Sequence, residues 1–160
     1  MKAGLRAKEI ANITWSMIVD ADGEITDIIK LTNIASKGKS GRIIPINKQL
    51  KSKLAELFKL AKRNKHFEIT SRIIRTERLE ATSPQVIVNM FQSWYADLGL
   101  IGCSSHSGRR TFITNAAKKI TTVGGSLRDV QFLAGHTSLQ TTQRYIEGDS
   151  EAQRKIVDLI

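Results

Sequence analysis

The spacing of apolar residues divides this chain into a short segment of changing period and a longer helical one. Leu5, Ile10, Ile13 and Met17 fall roughly on one helical face, which predicts a helical opening over residues 1–16. The period then shortens. Asp20-Ala21-Asp22-Gly23 is a turn signal flanked by apolar runs at 15–19 and 25–31. A second, basic turn, Lys37-Gly38-Lys39-Ser40-Gly41, precedes Arg42-Ile43-Ile44-Pro45-Ile46. Three short antiparallel strands are expected, joined by one acidic and one basic turn. Pro45 has no N–H for a ladder, so the third strand lies at an edge or ends there.

From Asn47 onward the pattern is helical. Asn47 is a good N-cap for a helix that places Leu50, Leu54, Leu57, Phe58 and Ala61 on one face. Its other face carries Lys48, Lys51, Lys53, Lys59 and Lys62. Such a face is usually only solvated, and DNA contact is the second reading. Ser83-Pro84 is the clearest helix start, a capping serine before proline at the first helical position. Ile87, Met90, Phe91, Trp94, Tyr95 and Leu98 form an apolar stripe expected in the core, and Gly99 ends that helix. Further helices are expected over 108–119, 127–133, 139–146 and 150–159, with 121–126 as a loop. The last of them is amphipathic, with Ile156, Val157 and Ile160 apolar. The fold class is therefore α+β, mainly helical, with a three-stranded antiparallel sheet near the amino terminus.

Length and charge narrow the reading. A chain of 160 residues has the size of one domain. Its 25 Lys and Arg against 15 Asp and Glu leave a net charge of +10, which points to a polyanionic partner, nucleic acid before an anionic membrane. The one cysteine, Cys103, cannot form an intrachain disulfide, which fits a reducing compartment. No apolar run reaches the roughly 18–20 residues of a membrane span. One Cys and three scattered His do not make a zinc site.

The chemistry lies in three boxes of the carboxy-terminal half: Ser105-His106-Ser107-Gly108-Arg109-Arg110, Leu133-Ala134-Gly135-His136, and Thr141-Thr142-Gln143-Arg144-Tyr145. Transesterification at a phosphodiester needs a nucleophile, a neutraliser of charge on the nonbridging oxygens and a proton donor for the leaving oxygen. Tyrosine can be the nucleophile once activated, since its free pKa is near 10. Arginine forks pair with phosphate oxygens, and histidines donate hydrogen bonds or move protons near neutrality.

Together these boxes resemble the carboxy-terminal signature of the tyrosine recombinases, the phage integrase family: His-x-x-Arg, then a Leu-Gly-His-like box, then Tyr. Ala3-Gly4-Leu5-Arg6-Ala7-Lys8-Glu9-Ile10 resembles the family's first arginine box. Residues 36–46 resemble its β-hairpin segment. The chain departs from the family at Gly108, where leucine is usual, and at Arg110, where many members carry histidine.

The resemblance implies a fold of the DNA breaking-rejoining type and a metal-independent recombinase with no cofactor. Arg6 and Arg109 would clamp the scissile phosphate and His136 would hydrogen-bond it. His106 would assist proton removal from Tyr145. Lys37 would protonate the departing 5′ oxygen, with Lys39 the alternative. Lys39, Arg42, Arg110 and Arg144 would contact DNA. The partner would be double-stranded DNA, bound by a homotetramer held through the carboxy-terminal helix, without a membrane. The setting would be cytoplasmic and nucleoid-associated, in a bacterium or from a phage. Residues 1–160 would be the catalytic domain, lacking the family's first helix and its amino-terminal DNA-clamping domain. The competing readings are a silent or weakened DNA-binding fragment of such an enzyme, a type IB topoisomerase-like strand transferase, and a basic interaction module.

Overall fold

Helix α1 begins later and ends sooner than the apolar spacing suggests, spanning only Ala7–Asn12. In the computed structural model, which describes residues 2–36, 38, 40–76, 81–146 and 150–160, two local features set its start. Gly4 is left-handed, at φ +60, and a Cβ there would lie 2.3 Å from the Phe112 ring. The backbone N–H of Arg6 donates to Glu9 Oε2 at 2.8 Å, a carboxylate cap on the first turn. At Ile13 and Thr14 the chain is extended beside Arg72 and Ile73, with Ile73 N–H donating to the Ile13 carbonyl at 3.0 Å.

Trp15–Met17 winds into a 3-10 turn rather than the expected first strand, which buries the Trp15 indole. Among the described residues the sheet therefore has two strands, not three. β1 (Ile28–Leu31) pairs antiparallel with β2 (Arg42–Pro45) in the register Ile29↔Ile44 and Leu31↔Arg42. Val19 makes only an isolated bridge to Ile25. Alternation sends Ile29, Leu31 and Ile44 into the core and leaves Ile43 exposed. Arg42 shares the inward face with Ile44.

The larger core lies under this sheet. Trp15, Phe58 and Phe67 pack tilted or edge-on, with centroids 4.9–6.4 Å apart, among Ile18, Ile29, Ile44 and Ile73. Phe58 comes from α2 (Lys48–Ala61), capped as expected by Asn47 accepting from the Gln49 N–H. A smaller core of Ile113, Val130 and Ala134, with Tyr145 packed against it, joins the carboxy-terminal helices.

The carboxy-terminal half carries α3 (Pro84–Asp97), α4 (Ser105–Lys119), α5 (Leu127–Ala134), α6 (Leu139–Gln143) and α7 (Ser150–Val157), of which α4 and α5 supply the buried side chains of that core. Ser83 caps α3 as its spacing predicts. The α3 stripe is not core throughout: Ile87 is buried, but Trp94 is 51% and Leu98 72% exposed. Helix α4 starts three residues before the expected 108, because Ser104 N–H donates to Ser107 Oγ at 3.0 Å and caps a turn there. That extra turn makes His106 helical. The expected loop at 121–126 holds a further 3-10 turn, Ile120–Val123, before α5. Among the described residues no helix is long and apolar enough to cross a membrane.

Candidate active site

The site is built on the carboxyl end of α5. Helix α5 ends at Ala134, and Gly135 turns left-handed at φ +64. A helix end leaves its last carbonyls without intrahelical donors and carries partial negative charge. Here three successive carbonyls each receive a guanidinium from a different element. Arg42 Nε donates to Leu133 O at 3.0 Å, Arg109 Nη2 to Ala134 O at 2.6 Å, and Arg6 Nη2 to Gly135 O at 2.8 Å. A side chain at 135 would not fit: a Cβ would stand 2.7 Å from Arg42 Nη1.

Glu9 is the counter-ion of this cluster and is fully buried. Arg42 grips both of its oxygens, at 2.8 and 3.1 Å, and Arg6 Nη1 holds Oε1 at 2.9 Å. Burial alone pushes the carboxyl pKa up. Hydrogen bonds from Arg42 and from the Arg6 backbone, with the two guanidinium charges, outweigh it and leave Glu9 below the usual carboxylate range. One carboxylate against three guanidiniums leaves this group of side chains with two positive charges in excess.

Arg109, from α4, is the deepest of the three arginines at 3% exposed, and its Nη1 donates to the Gly4 carbonyl. Burial first, and repulsion from Arg6 and Arg42 partly offset by Glu9, lower its pKa to about 10. It stays charged at neutral pH. Its Nη2 also meets His136 Nε2 at 3.2 Å. A guanidinium only donates, so Nε2 accepts, the proton sits on Nδ1, and Nδ1–H donates to Thr142 Oγ1 at 3.0 Å. Burial, then the charges of Arg109, Arg6 and Arg42, bring the His136 pKa down to about 4.

The His136 ring stacks on Tyr145, with centroids 5.5 Å apart and planes 19° from parallel. Tyr145 follows α6, and its carbonyl accepts from Thr114 Oγ1 of α4 at 3.1 Å. Arg6, Arg109, His136 and Tyr145, distant in sequence, are thus one contiguous group. The arrangement sets two excess positive charges beside a tyrosine stacked on its histidine wall.

The other expected residues are placed differently. His106 is exposed on the first turn of α4, one turn before Arg109. Arg110 and Arg144 are exposed. Lys37 and Lys39 lie outside the described residues, in the β1–β2 connection. Arg42, expected to contact DNA, is turned inward instead: its side chain is 9% exposed and bonded to Glu9 and Leu133. The parity of Arg42 with Ile44 carried that signal. Glu9 and Thr142 were not expected in the site. Glu9 stands three residues after Arg6 at capping-box spacing, which hints at the pairing. Thr142, fully buried, gives no such hint.

Comparison with known proteins bears on the family and the fold. The model of the phage integrase family matches residues 1–152. The chain is 28% identical over 156 residues to tyrosine recombinase XerA of Pyrococcus horikoshii, covering 98% of this chain and 50% of that protein. It is 31% identical over 156 residues to tyrosine recombinase XerC of Rhizobium meliloti, covering 97% of this chain and 45% of the relative. The chain thus spans about half the length of these curated relatives. Among solved structures, the crystal structure of XerA recombinase superposes with a TM-score of 0.73 at 22% identity, over 99% of this chain and 54% of that one. The Tn1549 transposon integrase in complex with a circular intermediate DNA gives 0.72 at 18% identity, over 99% and 55%. At those identities the superpositions speak for the fold alone. A family model that runs through both arginine boxes, both histidines and Tyr145 makes this chain a member of the phage integrase family of tyrosine recombinases.

Proposed function

We propose that this chain is the catalytic domain of a site-specific DNA recombinase that cleaves and rejoins DNA through a 3′-phosphotyrosyl intermediate. The observation that carries the reading is the convergence of Arg6 and Arg109, 103 positions apart in the numbering, on neighbouring α5 carbonyls beside the stacked pair His136 and Tyr145. A phosphodiester carries one negative charge, and nearly two at the pentavalent transition state. The two excess positive charges of the cluster match the latter better than the former, which is how an electrostatic site lowers a barrier.

In the step proposed, Tyr145 Oη attacks the scissile phosphorus and the bond from phosphorus to the 5′ oxygen breaks. His106, exposed on the first turn of α4, takes the tyrosine proton. Lys37, or Lys39, gives a proton to the departing 5′ oxygen. Arg6 and Arg109 neutralise the nonbridging oxygens. His136 exchanges Arg109 for phosphate as partner and moves its proton to Nε2 to donate. The ester keeps the bond energy, so attack by a second 5′ hydroxyl reverses the step without ATP. Arg110 and Arg144, exposed near this group, suit backbone phosphates. The exposed apolar residues Ile156, Val157, Leu159 and Ile160 at the carboxyl end suit docking on a neighbouring subunit in a DNA-bound homotetramer. The setting proposed is the DNA-containing compartment of a bacterial cell.

A pool of duplexes with randomised sequence and a nick near one phosphate tests the chemistry. Cleavage there loses the short 5′ hydroxyl strand and traps the adduct. A covalent protein–DNA band is expected, absent in Tyr145→Phe, and sequencing the trapped strands reads out the target. An adduct that survives Tyr145→Phe removes Tyr145 as the nucleophile. DNA binding with no adduct from any pool member favours the silent fragment.

A further inference from the structure

We propose that Arg42 is a positioning residue for the phosphate clamp: through Glu9 it holds Arg6 in place, and it makes no DNA contact of its own. The inference rests on the recombinase reading above but goes beyond it, since the chemistry described there does not use Arg42.

Three observations support it. First, β-strand alternation places Arg42 on the same face as Ile44, which is fully buried, so its side chain leaves the hairpin toward the core. Second, four of the five guanidinium N–H donors are committed inside the protein. Nε goes to Leu133 O at 3.0 Å, Nη1 to Glu9 Oε1 at 2.8 Å and Ser40 O at 3.3 Å, and Nη2 to Glu9 Oε2 at 3.1 Å. Little remains to offer a phosphate. Third, these partners lie on three separate pieces of the site. Ser40 belongs to the connection that bears Lys37, Glu9 to the helix that opens at Arg6, and Leu133 to the helix whose end seats Arg109.

The geometry of Glu9 gives the direction of action. Its Oε1 accepts from both Arg6 and Arg42, and its Oε2 from Arg42 and the Arg6 backbone. Without Arg42 the carboxylate loses two of its four donors and its fixed plane, and Arg6 loses a fixed partner. Arg6 is the more exposed guanidinium of the pair, at 21% against 9%, so it is the one available to a phosphate. The planar fork matters: a lysine could neutralise Glu9 but could not reach both of its oxygens and Leu133 at once.

The test uses the whole chain, the strand sequence recovered from the nicked pool, and two scissile groups. One is the natural phosphodiester. The other is a methylphosphonate, in which a methyl replaces one nonbridging oxygen and removes the charge the clamp must neutralise. Arg42→Gln and Arg42→Lys are compared with wild type. Both variants are expected to slow adduct formation on the phosphodiester, Arg42→Gln by about ten- to a hundredfold, the size of a charge-assisted hydrogen bond. On the methylphosphonate the loss should shrink to a few-fold, because Arg6 is no longer needed for charge. Equal slowing on both groups would overturn the proposal. Weaker DNA binding with unchanged cleavage of bound DNA would also overturn it, by returning Arg42 to DNA contact. Should Arg42→Gln not fold, Arg42→Lys carries the comparison. A second readout needs no catalysis. The Arg6 Nη1–H resonance, which Glu9 Oε1 accepts, should be protected from exchange in wild type and lose that protection in Arg42→Lys. An unchanged Arg6 signal refutes the positioning role. A lost signal in a protein whose wild type forms no adduct would instead leave the positioning intact and reject the recombinase reading.

Discussion

His136 spends its two ring nitrogens on opposite tasks, accepting from Arg109 and donating to Thr142. That arrangement suits only a neutral ring, and burial first, then the three guanidiniums nearby, keep it neutral. The consequence for stability has a definite sign. The folded pKa, about 4, lies below the ordinary 6.5, so the unfolded chain binds this proton first as pH falls. The stabilisation is complete above about pH 6.5 and is lost as pH drops from there toward 4. Glu9, also held below its ordinary value, adds to the loss at the acid end. The unfolding free energy from urea titration should fall across this window by on the order of 1–2 kcal/mol, allowing for screening of a half-buried ring. His136→Gln should flatten that pH dependence; an unchanged slope would mean the ring does not titrate in the fold as described.

At the scale of elements, α5 matters more through its end than through its faces. Gly135 meets two demands at once, a left-handed cap and contact distance to Arg42. Gly135→Ala should cost about 1–2 kcal/mol for the backbone alone, and more because Arg42 must shift. Adduct formation should fall with it, even where the thermal midpoint is restored by stabilising changes elsewhere. Retained activity would show that the seat of Arg42 tolerates displacement. The elements themselves were largely legible beforehand, and for a physical reason. Caps and turns are local, so Asn47, Ser83-Pro84 and the hairpin turns could be read from neighbours. Burial is not local. The α3 stripe had the period of a core helix, yet periodicity shows which face is apolar and not what covers it; Trp94 and Leu98 stand exposed. The missing third strand has the same cause. The run at 15–19 suits a strand, but burying the Trp15 indole against Phe58 favours a 3-10 turn. In the site, residues with a motif spacing were legible and residues defined by tertiary partners were not. The sequence points Arg42 toward DNA contact because its partner Glu9 lies 33 positions away.

On the scale of the whole molecule, the net charge of +10 is divided between two uses. Arg6, Arg42 and Arg109 are drawn inward around Glu9, while the lysines of α2 and Arg110 and Arg144 stay toward solvent. The outer set, together with Arg6 at the scissile phosphate, should release counterions on binding DNA. If about four phosphates are neutralised, affinity should drop roughly a hundredfold between 50 and 200 mM salt. Arg42→Lys should leave that slope unchanged, whereas Arg144→Ala should make it shallower by about one unit. Titration of DNA binding at several salt concentrations checks both.

The bond from Arg109 to the Gly4 carbonyl spans 105 positions, and that from Arg6 to Gly135 spans 129. Contacts of that range form late, since the chain must lose loop entropy before they reward it. During synthesis, a nascent chain that has emerged only through α4 already holds Arg6, Glu9 and Arg109. It has no α5 carbonyls to seat the two arginines and no Tyr145. The group proposed as the catalytic site is thus completed in one step, when α5 and the segment bearing Tyr145 close over Arg6 and Glu9.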